Sequence, residues 1–525
     1  MTRRLTRRST LKLLGTGAAM SLGAGGLLLP ARLAQSGEES GGAPENGNPL
    51  QLLPVDEGEI RDGVRHFSLE VQRGRTAFHA GQPTETLGIN RDYLGPTLRM
   101  RRGDNVRIHV SNRMGQATTL HWHGLHVPQE ADGGPHSVIG DGAQWMAAFD
   151  VRQAAGTFWY HSHMLHQTGE QVYRGLAGML LVDDHESDAL ELPSEHGVDD
   201  IPLVVQDRLF DDDGNLRYMD NFESMMIGMF GDTMVVNGTV NPVFEARRQR
   251  LRLRILNASN ARQLKLAFSD GRPFRVIAGD GGLLPEPVEL TDMLLTPAER
   301  VEIVVDVSDG QPVRLMNLPS PMDFPEFPGA MSQMMRSMNT ETMTILSIVP
   351  SPSLEPSPAL PVSLVNVPPL STSQAVQHRR MWLNMGYGPR SGGNRGPGLG
   401  NRNGFGGGHG GGNFGISGRT MDLNYINERV PLGNTEIWTI ENRTPMMHPF
   451  HIHGGLFRVL DRDGSAPPLH EAGYKDTVRI GARQTVSVIM SFTDYAHESI
   501  PFMFHCHTLE HEDRGMMGQF LVLDG

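Results

Sequence analysis

Apolar and polar residues alternate along segments 102–112, 250–257 and 433–442, and each segment ends in asparagine. Because successive side chains of a β-strand point to opposite faces, this alternation predicts half-buried strands. Sustained helical periodicity is scarce, and glycine and proline turn signals recur along the whole chain. The repeats predict an all-β protein built of three tandem β-sandwich domains.

The repeats place the predicted domains at 51–190, 198–350 and 365–525. With 525 residues the chain is too long for one ordinary hydrophobic core, which agrees with several domains. The proline-rich segment 351–371 is predicted to be the linker into the third domain. Segment 391–418, which is rich in glycine and contains no methionine, is predicted to be a low-complexity surface loop.

Residues 1–35 have the features of an export signal. Arg7 and Arg8 precede Ser9, Thr10 and a weakly apolar stretch, which is the pattern of a twin-arginine signal. Glycines interrupt the stretch and make it a poor membrane span, although a retained anchor is the alternative. The signal predicts recognition by the twin-arginine export machinery and a periplasmic or otherwise exported protein.

The net charge limits the classes of possible binding partner, and the cysteine content excludes a disulfide within the chain. The net charge of −13 at pH 7 argues against nucleic acid and anionic membranes as partners. Cys506 is the one cysteine of the sequence, so no disulfide can form within the chain. We expect a monomer in which Cys506 is either inert or chemically employed.

Histidines are concentrated in four short windows of the sequence. Each His-x-His pair puts two imidazoles on one face of a strand. No histidine lies between His196 and His378, so the middle domain supplies no imidazole. A metal cluster is therefore expected where the first and third domains meet, with the second domain as a spacer. The windows hold ten of the 22 histidines, namely His121, His123, His161, His163, His448, His451, His453, His505, His507 and His511.

The segment around Cys506 combines both kinds of ligand. On a strand, His505 and His507 point to one face and Cys506 to the other, so the segment can bind metal on both faces. Cys506 with His511, a second histidine and a weak axial methionine is the ligand set of a blue-copper site. A zinc-like cluster or a histidine-rich loop is the alternative, and the four matching windows argue against it.

The windows resemble those of the multicopper oxidases, in the order H-x-H-G, H-x-H, H-x-x-H-x-H and H-C-H-x₃-H-x₄-M. The ending at 511–517 is most similar to that of the bacterial periplasmic cuprous oxidases. The resemblance implies cupredoxin-like Greek-key sandwich domains and four copper ions per chain. It implies as ligands His448, Cys506, His511 and axial Met516 for type 1 copper, His121 and His451 for type 2 copper, and His123, His161, His163, His453, His505 and His507 for the type 3 pair.

The resemblance also implies a reaction. A donor gives one electron at a time to the type 1 copper, and the trinuclear cluster reduces O₂ to water with four electrons. Water formation needs protons, so carboxylates are expected beside the ligands. Asp132 and Glu512 match acidic positions of the family and are the candidates. Ordinary turn and surface carboxylates are the alternative.

The predicted electron donor is Cu(I), a phenol or both, with a role in copper tolerance. Thioether sulfur favours Cu(I), and Met446 and Met447 directly precede the first type 1 histidine. The methionines of 331–343 are predicted to lie on the same access route, although core packing is their alternative. Two departures favour phenols. Segment 391–418 lacks the methionines that cuprous oxidases carry there, and Thr444 stands where they have an acid.

Other classes of protein remain as alternatives. A copper-sequestering protein would need no ordered His-Cys-His segment. A copper-free structural protein of the cell envelope would have lost several ligands, whereas all twelve expected positions are filled. A copper nitrite reductase has two domains, and the middle domain argues against it.

Overall fold

The structure, a computed structural model, describes residues 47–219, 221–320, 338–368, 371–386 and 413–525. Strands make up 50% and helices 6% of it, so the prediction of an all-β protein is confirmed. Within these ranges, no helix has the length and apolarity needed to cross a membrane. The predicted signal at 1–35, most of segment 391–418 and residues 331–337 lie outside the described residues.

The first part of the described chain forms sheets that pack face to face. One sheet has the strand order β2-β6-β11-β10-β8, and the other has β3-β4-β7-β9 with β5 paired to β4. Phe67, Val106, Trp122 and Phe158 are among the side chains of the core between them. The elements are β1 (Asn48–Pro49), β2 (Val55–Asp56), β3 (Glu59–Arg61), β4 (Val64–His79), β5 (Gln82–Ile89), β6 (Thr97–Arg101), β7 (Asn105–Asn112), β8 (His121–His123), a 3₁₀ turn (Gln129–Ala131), β9 (Gln144–Asp150), β10 (Gly156–His161), α1 (Thr168–Tyr173), β11 (Ala177–Asp183) and α2 (His185–Asp188).

The middle part repeats this arrangement with longer sheets. Their strand orders are β14-β13-β12-β16-β21-β18-β19 and β1-β15-β23-β22-β17-β20, so the first strand of the chain joins a sheet of the middle part. The elements are β12 (Asp200–Arg208), α3 (Phe222–Ile227), β13 (Thr233–Val236), β14 (Thr239–Val240), β15 (Pro242–Arg248), β16 (Arg250–Asn257), β17 (Leu264–Phe268), β18 (Phe274–Gly279), β19 (Gly282–Leu290), β20 (Asp292–Leu295), β21 (Arg300–Asp306), β22 (Val313–Asn317) and β23 (Met343–Glu355).

The last part again packs sheet on sheet. The strand orders are β25-β24-β27-β31-β29 and β26-β33-β32-β28-β30. Met226 and Ile227 of α3 insert into its core, so the middle part helps to close it. The elements are a 3₁₀ turn (Thr372–Gln374), β24 (Ala375–Gly386), β25 (Asn413–Ile416), β26 (Glu428–Pro431), β27 (Thr435–Asn442), β28 (His448–Ile452), β29 (Phe457–Arg462), a 3₁₀ turn (Leu469–Glu471), β30 (Thr477–Ile480), β31 (Thr485–Ser491), β32 (Phe502–Cys506), α4 (Leu509–Glu512) and β33 (Met517–Leu523).

The asparagines that end the three alternating segments share one structural role. Each is buried, and its side-chain amide donates hydrogen bonds to carbonyl oxygens of neighbouring loops. Asn112 donates to the carbonyl of Gln116 at 2.8 Å, and Asn257 donates to the carbonyl of Arg262 at 2.9 Å. Asn442 donates to the carbonyl of Met446 at 2.7 Å, two residues before His448. The repeat thus fixes the loops that follow these strands, including the one that leads to a candidate ligand.

Two local predictions are wrong. The alternation at 250–257 predicts a half-buried strand, but Arg252 and Arg254 of β16 are buried because Glu302 and Asp200 neutralise them. The predicted linker at 351–371 also begins too early. Residues up to Glu355 belong to β23, since that strand pairs with β15 as far as Glu355.

Candidate metal centre

Pairing between short strands brings the first two histidine windows together. β8 runs antiparallel to β10, with His121 opposite His161 and Trp159 opposite His123. All of these side chains are buried. His163 lies two residues after the end of β10, and its main-chain N–H donates to Thr119 Oγ1 at 2.9 Å.

The corresponding pair in the last part is β28 and β32. His451 lies opposite His505, and Phe450 lies opposite Cys506. As the sequence predicts, His505 and Cys506 point to different faces of β32. The imidazole of His505 joins the other His-x-His pairs, whereas the sulfur of Cys506 lies beside His448 and His511.

These pairs form a buried group at the boundary of the first and last parts. We call the group the histidine cluster. His163 Nε2 and His453 Nε2 each lie 3.2 Å from His505 Nε2, and His161 Nε2 lies 3.4 Å from His123 Nδ1. Imidazole nitrogens bind a first-row metal ion at about 2.0 Å, so two of them on one tetrahedral ion lie roughly 3.3 Å apart. The spacing fits shared metal ions. The cluster comprises His121, His123, His161, His163, His451, His453, His505 and His507.

The electrostatics of the cluster favour neutral imidazoles with free lone pairs. Burial, reinforced by neighbouring histidines, holds the pKa of His121, His451 and His507 well below the usual value. Burial likewise lowers the pKa of His163 to about 4. Among the described residues, His121 Nε2, His451 Nε2 and both ring nitrogens of His507 have no hydrogen-bond partner. Buried nitrogens without partners are costly, and metal ions would satisfy them.

Cys506, His448 and His511 form a second buried group, the cysteine group. Cys506 Sγ lies 3.2 Å from His448 Nδ1 and 3.7 Å from His511 Nδ1. The other nitrogen of each ring is already used. His448 Nε2 pairs with Thr444 Oγ1 at 2.7 Å, and His511 Nε2 donates to the carbonyl of Met226 at 3.1 Å. The nitrogens beside the sulfur are therefore free for a metal ion.

Burial raises the pKa of the Cys506 thiol to about 12. The protein alone therefore keeps this group as a thiol at neutral pH. A coordinating metal ion would deprotonate it outright. The donor set of one sulfur and two imidazoles fits copper.

The three candidate methionines lie close to this group in sequence but differ in burial. Met516 is fully buried, and its carbonyl accepts the main-chain N–H of Cys506 at 3.0 Å. Met446 is buried in the core of the last part, whereas Met447 is partly exposed. Of the segment 331–343, the described Met338 packs against the core of the last part.

Asp132 and Glu512 both contact histidines of the cluster and are buried, so the alternative of surface carboxylates is wrong. His453 Nδ1 donates to Asp132 Oδ2 at 2.8 Å. Glu512 lies 3.3 Å from His163 Nδ1 and 3.1 Å from His505 Nδ1.

The two carboxylates are tuned in opposite directions. Burial raises the pKa of Asp132 well above its usual value. Burial would also raise the pKa of Glu512, but the adjacent His163 and His505 outweigh it and lower that pKa. Burial therefore favours the protonated form of Asp132, whereas the neighbouring imidazoles favour the carboxylate form of Glu512.

The sequence did not reveal two further residues at the cluster. Asp476 accepts a hydrogen bond from His123, and Arg300 of the middle part pairs with Asp476. The expectation that the middle part is only a spacer is therefore wrong. In the sequence, Arg300 begins an ordinary alternating strand and Asp476 directly precedes another strand, β30, so no local signal marks either residue.

Comparison with known proteins agrees with this geometry. Residues 70–187 and 400–525 each match a family model described as multicopper oxidase. A multicopper oxidase of Staphylococcus haemolyticus is 35% identical over 467 residues, which are 88% of this chain and 89% of that protein. The chain belongs to the multicopper oxidase family. It is an oxidoreductase of cupredoxin-like fold that binds copper and uses O₂ and a reducing substrate.

Other relatives of this multicopper oxidase have names that indicate different functions. The cell division protein FtsP of Escherichia coli is 33% identical over 522 residues, which are 99% of each chain. A solved laccase-like multicopper oxidase, CueO from Ochrobactrum sp., is 33% identical and has a TM-score of 0.78, covering 90% of this chain and 100% of that one. The Ochrobactrum protein is described as active towards lignin model compounds and lignosulfonate.

Proposed function

We propose that this protein is a four-copper oxidase that couples one-electron oxidation of Cu(I) or phenols to the reduction of O₂ to water. The cysteine group with axial Met516 would hold the type 1 copper. Of the histidine cluster, His121 and His451 would hold the type 2 copper and the other six the type 3 pair. The observation that carries the proposal is the set of buried, neutral imidazoles with unpaired nitrogens on one face of β32, together with the buried Cys506 thiol and its two imidazoles on the other face.

The chain itself links the two groups. When bound, copper supplies the one-electron transfers and the reduction of O₂. Cys506 belongs to the cysteine group, while His505 and His507 on either side of it belong to the histidine cluster. His505 Nδ1 also lies 3.1 Å from the carbonyl oxygen of Cys506. Electrons therefore need to cross only one or two peptide units.

Asp132 and Glu512 serve as the proton relay in this proposal. Glu512 is held anionic beside His163 and His505, so it can accept a proton and pass it on. Asp132 retains its proton to a higher pH because it is buried. A group poised to donate and a group poised to accept suit the repeated proton transfers of water formation.

The described structure limits how a donor reaches the cysteine group. His448 and His511 are both fully buried, and Phe414 stacks on His511 with ring centroids 4.5 Å apart. Met447 is partly exposed and next to His448, so it is the better placed thioether for Cu(I). Phenols as donors are supported by the similarity to the Ochrobactrum oxidase.

The remaining predictions form part of the same proposal. Residues 1–35 would direct export by the twin-arginine machinery, and the exported protein would act in copper tolerance as a monomer. The domain limits 51–190, 198–350 and 365–525 are supported by the sheets, whose strands fall within these ranges apart from β1 and the last five residues of β23.

Similarity to FtsP favours a second candidate, a copper-free structural protein of the cell envelope. A copper-sequestering protein is a related alternative. The buried, unpaired imidazole nitrogens of the histidine cluster argue against the first, because without metal they would only cost stability. The ordered connection through Cys506 argues against the second.

One experiment separates these functions. The copper-loaded protein is examined by visible spectroscopy, and oxygen uptake is measured with Cu(I) and with a phenol. The proposal expects blue absorption, about four copper ions per chain and oxygen uptake with at least one donor. Blue absorption or bound copper without oxygen uptake would indicate sequestration. A protein that binds no copper would overturn the proposal in favour of the structural role.

A further inference from the structure

Arg300 is a fully buried arginine that joins all three parts of the chain. Its side chain donates to the carbonyls of Thr157 at 3.0 Å, Ala298 at 2.9 Å and Asp280 at 2.9 Å. The same guanidinium donates to Asp476 Oδ1 at 2.8 Å and also to Asp476 Oδ2. All five N–H groups of the guanidinium are used, and the contact with Asp476 is bidentate.

Asp476 in turn holds two histidines of the cluster. Its Oδ1 accepts a hydrogen bond from His123 Nε2 at 3.0 Å. Its main-chain carbonyl accepts one from His451 Nδ1 at 2.7 Å. These two hydrogen bonds determine the tautomer of each histidine. His123 presents Nδ1 to the cluster, and His451 presents Nε2, which has no hydrogen-bond partner in the part of the chain that the structure describes.

We infer that Arg300 is a positioning residue for the histidine cluster, acting through Asp476. The inference rests on the proposed copper chemistry but concerns the middle part of the chain, which contributes no ligand. Arg300 supplies the positive charge and the planar fork that fix the buried Asp476 carboxylate. The orientation of that carboxylate decides which nitrogen of His123 faces the metal ions, and the main-chain carbonyl of the same residue does so for His451.

The glycine of the first histidine motif supports this role independently. Gly124 has φ +88°, and a Cβ there would lie 2.3 Å from Asp476 Oδ2 and 2.9 Å from Arg300 Nη2. A side chain at position 124 would therefore displace the ion pair. The glycine of the H-x-H-G motif therefore permits the turn and also leaves room for the ion pair between Asp476 and Arg300.

Lysine cannot replace Arg300 in this arrangement. Its ammonium group carries the same charge but is a point donor with three hydrogens, so it cannot contact both carboxylate oxygens and three carbonyls in one plane. Loss of a residue that orients a metal ligand weakens metal binding by about 10–100-fold. We expect Arg300→Lys to weaken copper binding at the histidine cluster by that factor and to leave the cysteine group loaded.

The matched control is Arg254→Lys. Arg254 is also buried in the middle part and also makes a bidentate pair, with 2.6 Å and 2.8 Å contacts to Asp200. Its carboxylate partners in the described structure are Asp200 and Glu302, neither of which belongs to the histidine cluster. Both variants lose a comparable buried contact, so a difference between them reports on the cluster and not on general stability.

The measurement is copper per chain after dialysis against a graded series of chelator concentrations, together with the blue absorption and the electron paramagnetic resonance spectrum. The inference expects Arg300→Lys to stay blue, to lose copper from the cluster at about 10–100-fold lower chelator concentration and to show an altered type 2 signal. Arg254→Lys should resemble the wild type. Equal copper retention and unchanged spectra in both variants would overturn the inference.

Two further experimental outcomes would also be decisive. If Arg300→Lys does not fold, Asp476→Asn is measured in the same way, because it preserves side-chain volume. Retention of all copper by a folded Asp476→Asn protein would overturn the inference. If the wild type itself binds no copper and is not blue, the proposed function fails, which is a different result from failure of the Arg300 assignment.

Discussion

Thr444 orients His448, the histidine of the cysteine group that precedes the His451/His453 pair. Its hydroxyl lies 3.0 Å from the carbonyl of Met446 and 2.7 Å from His448 Nε2, and the side chain is buried. The hydroxyl hydrogen is donated to the carbonyl, so the oxygen accepts the Nε2–H of His448. This leaves His448 Nδ1, 3.2 Å from Cys506 Sγ, as the metal-binding nitrogen.

Replacing Thr444 by valine keeps the shape and removes the acceptor. The buried N–H of His448 is then unpaired, at a cost of about 1–3 kcal/mol. The Met446 carbonyl remains bonded to the amide of Asn442 at 2.7 Å, so the loop should hold. In the wild type, the Thr444 oxygen stabilises the oxidised, more positive state of the copper more than the reduced state. Loss of this acceptor therefore destabilises the oxidised state. If about 1 kcal/mol of the cost falls on the oxidised state alone, the midpoint potential rises by about 40 mV.

The assay is a redox titration of the blue absorption of Thr444→Val, with Thr444→Ser as the matched control. Serine keeps the hydroxyl and loses one methyl group, so its midpoint should remain within about 10 mV of the wild type, since a change of 59 mV corresponds to a factor of ten for one electron. An unchanged or lowered midpoint in Thr444→Val would refute the reasoning. Equal shifts in both variants would show that packing, and not the hydrogen bond, sets the potential.

The other predictions concern the thiol, the proton relay and the donor route. Cys506→Ser should abolish the blue absorption and the oxidase activity while circular dichroism shows an intact fold; a blue, active variant would contradict the assignment. Glu512→Gln removes the anionic proton acceptor, so oxygen uptake should fall by about a hundredfold with copper content near that of the wild type. An unchanged rate across pH would make Glu512 purely structural. Met447→Leu deletes a partly exposed thioether at constant volume and should lower oxygen uptake with Cu(I) but not with a phenol. Met446→Leu, at a buried position, is its control, and an equal effect of both variants on both donors would mean that these methionines only pack.

The sequence by itself determined the properties that depend on neighbouring residues. The alternation along the chain predicted strands at β7, β16 and β27, because the direction of a side chain on a strand repeats every two residues. The same rule separated the sulfur of Cys506 from the imidazole of His505. The matching histidine windows identified the candidate ligands and indicated that the middle part supplies no imidazole.

Only the tertiary structure decided which distant residues meet. His163 and His505 are 342 positions apart, His453 and Asp132 are 321 apart, and Arg300 and Asp476 are 176 apart.

The physical reason is that a local pattern reports which face of a strand is apolar but not what covers the polar face. Arg254 and Arg300 stand at polar positions of strands, and both are buried because carboxylates from distant segments of the chain neutralise them. No sequence signal distinguishes Met446 from Met447, yet of these two only Met446 is buried in the core of the last part. Such outcomes depend on how the sheets pack against one another, and that packing arises from contacts between segments far apart in the chain.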